Sequence, residues 1–437
     1  MRTLTDTRKK IAPGATQPGA MPPGFTPGGA GFTVRLAGQG ALRALGLPGT
    51  APAGTDPVGT DPAGGVREGR VLAVFKRSFY LAFGDENGEW LACFGPESIG
   101  AGPLNVICDL PEGIDWAASG LRPGDPARAN PTRANPARNY SEQTCPGRTQ
   151  PGPMSGLCVI AGRFSFYFEG VDIWRPCDLP GGIKQADVRK GLDLLAAMAG
   201  ERAPAEGLGR LIPEMAGAAR GVEGVVDVGV ERGAAKSENV GDMSGPEAPE
   251  GACQTANAAK RQVIRAGRAG AGALARWMCD MLHPKPQGPT QPGLRIEISS
   301  PGQRAAGLIG LGPGLTPSGD DFIGGAMVAL RMLGRGVIAD RLAEWALPLA
   351  AGTSRISRAH LAEAARGAGA GALHEMIEAV SRSVEGDISS SLGAINAIGH
   401  TSGWDALAGA VMALEAVFRN ELGRDGFATN FHIGDNL

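Results

Sequence analysis

"SGDDFIGGAMVAL", Ser318 to Leu330, returns 84 residues later as "SGWDALAGAVMAL", Ser402 to Leu414. Seven of the thirteen positions are identical, which marks two helices written on one plan. Each copy opens on Ser with Asp three residues later, the spacing of a capping box: Ser318 or Ser402 at the N-cap, Asp321 or Asp405 at N3. A carboxylate there also suits the positive helix end. The Gly and Ala one turn further in allow another helix to approach closely. The twins are expected to pack on similar neighbours, related by a pseudo-twofold. Asp320 has no duty in this plan, because Trp404 stands in its place in the second copy.

The approach to the first copy is "GLGPGLTPSGDD", Gly310 to Asp321, with four glycines and two prolines. Rigid turns with bare amides leading into a helix start can hold an anion. Gly312, Gly314 and Gly319 would supply amides; Thr316, Ser318 and Asp321 complete the candidate set. The G-K-[ST] of a nucleotide-binding P-loop is missing. Between the twins lies "GTSRISRAHL", Gly352 to Leu361. Helical periodicity starts near Ser357, which puts Arg355 and Arg358 at a positive helix end, unfavourable by roughly 0.3–1 kcal/mol each. They call for an anion: an Asp or Glu of the chain, or a bound carboxylate or phosphate. Thr353 and Ser354 add hydroxyls. Before the second twin, "IGHTSGWDALAG" brings His400, Thr401 and Ser402. His400 is either a hydrogen-bonded structural residue or the proton-transfer group. A Ser-His-Asp hydrolase is not indicated, since no G-x-S-x-G elbow occurs.

The 437 residues suffice for two or three domains. Gly (69) and Pro (33) reach nearly a quarter of the chain and cluster, so part of it is expected to stay disordered. That part is residues 1–66, with "GTDPVGTDPAG". Residues 67–200 read as a β-rich domain of short strands such as "RVLAVFKRSFYLAF" and "LCVIAGRFSFYFEG". A low-complexity insertion near 122–155 carries "GDPARANPTRANPARN". Residues 201–252 read as a linker or large loop. Residues 253–420 read as a helical domain carrying all three motifs, with a lone strand "LRIEIS" and five or six packed helices after it; 421–437 is a tail. The fold class is therefore α+β: a β-rich N-terminal part, then a helical C-terminal domain with an internal helix repeat.

The formal net charge of −2 comes with no basic face and argues against nucleic acid. No eighteen-residue apolar run suggests a membrane span. Seven cysteines without a C-x-x-C pair suggest idle thiols in a reducing cytoplasm. No cofactor is called for, and a divalent metal stays open.

The three blocks "GLGPGLTPSGDDFIGG", "GTSRISRAHL" and "GHTSGWDALAG" together resemble the family of the oxamate carbamoyltransferase subunit AllH, a bacterial domain long catalogued as of unknown function. The likeness is strong over about residues 304–409 and faint through 68–200. It implies a cytoplasmic subunit in allantoin (purine) nitrogen catabolism. The enzyme interconverts oxalurate and phosphate with oxamate and carbamoyl phosphate. The resemblance also implies partners: an FdrA-like subunit similar to acyl-CoA synthetases, and a third subunit. Arg355 with Thr353, Ser354 and the amides of 314–319 would then neutralise phosphate and the developing oxyanion. Asp320 would orient an amine or a metal-bound water, and His400 would move the proton. "TSRIS" also distantly resembles the phosphate loop of the aspartate and ornithine carbamoyltransferases, as an analogy across unrelated folds. Two other readings stand beside this one: a non-catalytic assembly subunit whose twin helices dock a partner, and a stand-alone hydrolase or lyase of a small amide or ureide.

Overall fold

The computed structural model describes residues 31–46, 66–84, 90–111, 113–131, 150–151, 155–217, 250–283 and 300–419. The N-terminal part contains β1 (Gly31–Gly38), α1 (Gln39–Ala44), β2 (Arg67–Val74), β3 (Phe79–Phe83) and β4 (Trp90–Gly95). There follow β5 (Asn105–Cys108), β6 (Pro126–Pro131), β7 (Gln150–Pro151), β8 (Ser155–Ala161) and β9 (Phe164–Trp174). Eight of these strands close into a barrel in the order β1-β5-β4-β3-β2-β6-β8-β9, sealed by parallel pairing of β9 with β1; β7 pairs with the end of β9 beyond β8.

Alternation of side chains fills the barrel. In β9, Phe164, Phe166 and Phe168 are buried at every second position, as a half-buried strand requires. Gly170, at φ 64°, then takes up a bulge, and the buried parity passes to Val171. Trp116 plugs the interior, with its ring 4.7 Å from Phe79, which stacks on Phe94 at 5.4 Å.

The stretch 1–66 was expected to be disordered, yet 31–46 forms a barrel strand and a helix. "GFTVRLAG" places Phe32 and Val34 inward, a short alternation swamped by the Pro- and Gly-rich composition around it. Likewise β6, within the expected insertion, pairs with β2 and β8.

The helical part contains α2 (Gln185–Arg202), α3 (Ile212–Gly217), α4 (Glu250–Leu282), α5 (Gly302–Ala306) and α6 (Ser318–Met332). It continues with α7 (Gly336–Leu349), α8 (Arg355–Ala365), α9 (Gly371–Arg382), α10 (Glu385–Asn396) and α11 (Ser402–Phe418). The expected linker 201–252 is in part core: Leu208, Leu211, Ile212 and Met215 are buried in the main cluster. The expected strand Leu294–Ser299 and the tail 421–437 lie outside the described residues.

α6 and α11, the twin segments, are buried nearly all round and pack on each other at the centre. A Cβ on Gly325 would overlap the carbonyl oxygen of Ala406, and one on Gly409 that of Phe322. These pairs share the 84-residue offset, so the contact is reciprocal. The small-residue faces read as possible docking surfaces are therefore used inside the chain.

Barrel and helices meet along α8. Ile356 packs with Ala82 and Leu91 of the barrel. Arg43 of α1 forms a buried ion pair with Glu363, with both carboxylate oxygens within 2.6 Å.

Candidate functional site

A cavity of about 1390 Å³ opens between the barrel and the helices. All three sequence blocks reach its wall: Thr316, Ser318, Asp320 and Asp321 from the first, Ser357 and His360 from the second, His400, Thr401 and Ser402 from the third. Gly314 also lines it. The barrel contributes Tyr80, Cys93 and Asn105, with Lys76 and Arg77 on the connection from β2 to β3.

The capping boxes do not form. The N-caps are Pro317 and Thr401, neither with a side-chain cap hydrogen bond, and Ser318 and Ser402 are the first helical residues. The serines turn across to the other helix instead. Ser402 shares a 2.9 Å hydrogen bond with Thr316. The Ser402 hydroxyl acts on Asp321, and that of Ser318 on Asp405. Burial pushes the carboxyl of Asp321 well above the usual range; the Asp405 and Asp320 charges add to this, and the Ser402 and Thr316 hydroxyls oppose it. Asp405 is raised as well, chiefly by burial.

Asp320 has the duty that its sequence context withheld. Its Oδ1 accepts the Gly310 amide at 2.8 Å, and its Oδ2 accepts the hydroxyls of Thr353 at 2.6 Å and Ser357 at 2.7 Å. It ties the glycine-rich loop to the start of α8. Trp404, at the matching place in α11, donates to Asn396 at 3.0 Å, a tie from α11 back to the end of α10.

Some of the amides around the loop are used within the chain. Gly319 donates to Leu311, and Asp320 and Asp321 to Pro317. Gly319 is needed for packing, since a Cβ would overlap the Leu308 carbonyl. Gly312 sits at φ 108°, with Ser318 3.0 Å from where a Cβ would stand. Ser354 is the N-cap of α8, accepting the Ser357 amide at 3.0 Å, and its hydroxyl donates to the Leu315 carbonyl.

Arg355 and Arg358 are not among the residues lining the cavity. α8 begins at Arg355 rather than near Ser357, and the helix turns Ile356, Ser357, His360, Leu361 and Ala364 to the cavity. At 100° per residue, positions 355 and 358 fall on the opposite side. His400 lies at the rim with its side chain 80% exposed, 3.5 Å from Glu206, which also pairs with Lys260 at 2.6 Å.

The imidazole within the cavity wall is His360, which sequence reasoning passed over. Its Nε2 lies 3.2 Å from the Tyr80 hydroxyl. Desolvation lowers His360 to about 4 and holds the ring neutral. The Tyr80 phenol is pushed well above 10, first by burial, then by Cys93, whose thiol burial raises to about 11. The missed signal was helical spacing: His360 follows Ile356 by four residues, on the apolar face of α8.

Among the described residues, no group of three or more His, Cys, Asp and Glu side chains is placed to hold a metal ion. The described cysteines are free thiols, and no described helix is long and apolar enough to cross a membrane.

No curated protein and no solved structure matches this chain. The stretch that builds most of the cavity wall does find a match: residues 308–414, from the loop before α6 into α11, fit the family model described as oxamate carbamoyltransferase subunit AllH.

Proposed function

We propose that this chain is a subunit of an oxamate carbamoyltransferase-type enzyme of ureide nitrogen catabolism, and that the cavity between barrel and helices binds its small carbamoyl-bearing substrates. The observation that carries this is convergence: three blocks spread over about a hundred residues, all within the matched stretch, reach one cavity.

Carbamoyl transfer to oxamate forms a bond from the amide nitrogen to the carbamoyl carbon. It breaks the carbon–oxygen bond to phosphate and releases one proton from nitrogen. The departing phosphate takes up that proton and leaves as hydrogen phosphate, and the Tyr80 phenol, hydrogen-bonded to His360 Nε2, can orient the reacting groups or relay the proton between them. Lys76 and Arg77 are the cations of the wall suited to a phosphate, in place of Arg355. The volume exceeds the roughly 300–1,000 Å³ ordinary for small-ligand sites. It leaves room for two substrates and for a segment of a companion subunit, such as the FdrA-like partner.

The test is calorimetry and turnover with carbamoyl phosphate and oxamate, on the chain alone and with its companion subunits. Joint replacement Thr316→Val and Ser402→Ala should weaken binding at least tenfold. Unchanged binding and turnover would remove the cavity from the reaction. Turnover by the isolated chain would favour the stand-alone hydrolase or lyase.

A further inference from the structure

The twin helices meet reciprocally, but their N-terminal carboxyls end differently. Asp405 is covered by the chain's own backbone. Its Oδ1 accepts the Leu208 amide at 2.5 Å, and the Gly209 amide also reaches the carboxyl. Gly207, at φ 77°, runs so close that a Cβ there would stand 2.5 Å from Oδ1. The hydroxyls of Thr401 and Ser318 also act on this carboxyl. Asp321 has the matching hydroxyls, Thr316 and Ser402. It has no such amide pair among the described residues. It lines the cavity, as Asp405 does not; the Oδ2 atoms of both carboxyls are buried without a hydrogen-bond partner.

We infer that Asp321 is the specificity-determining group of the cavity, receiving the N–H groups of a primary amide or ureide as Asp405 receives those of the 207–209 peptide. This rests on the cavity being the substrate site proposed above. A primary amide brings two N–H donors and one carbonyl. The donors match the acceptor capacity left open on Asp321. A carboxylate in the same place offers no N–H donor to the Asp321 oxygen that carries no proton. Burial and the two neighbouring carboxyls favour the neutral form of Asp321. In that form it also donates one proton to the amide carbonyl, closing the cyclic pair that carboxylic acids make with carboxamides.

Oxamate and oxalate differ only in having –NH₂ in place of one carboxylate oxygen, so their affinity ratio reads this contact. The full chain with its companion subunits is titrated with each. Wild type should favour oxamate at least tenfold. Asp321→Asn keeps the shape but presents an amide donor, and should bring the ratio to one or invert it. Thr316→Val, outside the helix, should cut the ratio several-fold and serves if Asp321→Asn fails to fold. Asp405→Asn should lower the melting temperature and change the ratio far less than Asp321→Asn does. A wild-type ratio near one, or a ratio untouched by both Asp321→Asn and Thr316→Val, overturns the inference while the site stands. If neither oxamate nor carbamoyl phosphate binds, the proposed function fails and this inference with it.

Discussion

At the scale of single residues, the chain uses buried carboxyls as fasteners. Asp320 collects three donors from two separate segments. Asp320→Ala strands a buried amide and two hydroxyls, and should cost about 3 kcal/mol or more. Urea denaturation reads this as a lower midpoint with unchanged slope; an unchanged midpoint would mean that the three donors find other partners. Lost activity in this variant therefore reports the scaffold before it reports chemistry. Glu415 is a different case. It lies 3.8–3.9 Å from Arg419 and Arg189, yet burial raises its carboxyl to about 7. Its folded pKa exceeds the unfolded value near 4.5. Between pH 4.5 and 7 the unfolded chain releases a proton that the fold retains, so this group's contribution falls as pH rises. Glu415→Gln should flatten that decline by up to about 3 kcal/mol, seen in denaturation midpoints at pH 5 and pH 8. His360 acts oppositely. Its folded pKa of about 4 lies below the unfolded 6.5, so its contribution rises with pH across that window. The comparison of wild type with Glu415→Gln isolates one from the other.

At the scale of elements, the α6–α11 pair is fixed by two glycines whose missing Cβ atoms let backbone meet backbone. Gly325→Ala and Gly409→Ala should each destabilise by about 3 kcal/mol, since the helices must separate. The double variant should lose less than the sum, because one separation relieves both. Gly324→Ala is the contrast. Its Cβ would lie 3.5 Å from that of Ala364, an ordinary contact, and helix propensity should stabilise the fold by up to about 1 kcal/mol. Thermal melts of the three single variants separate close approach from propensity. These helices were legible because their pattern is local: small residues recur one turn after a shared start. The blocks around them were legible for the same reason. What was not legible depends on chain segments far apart. Tyr80 and His360 stand 280 residues apart, and no spacing announces their contact. Asp321 and Asp405 read as caps because the crossing serines look like N-caps until the two helices are placed together. Arg355 read as an anion ligand from its place in the first turn of α8 alone; which side of that helix meets the cavity is set by the barrel packed against it.

At the scale of the whole molecule, the cavity exists because barrel and helices are held at one angle. The Arg43–Glu363 pair spans that junction with both side chains buried. Removing one partner leaves an uncompensated charge, so Glu363→Ala should cost about 3–5 kcal/mol; restoring neutrality with Arg43→Met in the same chain should recover part of it, as melting temperatures will show. The barrel carries a further implication. Its ring is sealed by β1, which lies between β5 and β9 and pairs with residues as late as Trp174. During synthesis the first of the described strands is thus among the last to find both neighbours. Until Trp174 has left the ribosome, the nascent sheet offers bare edges to any passing strand.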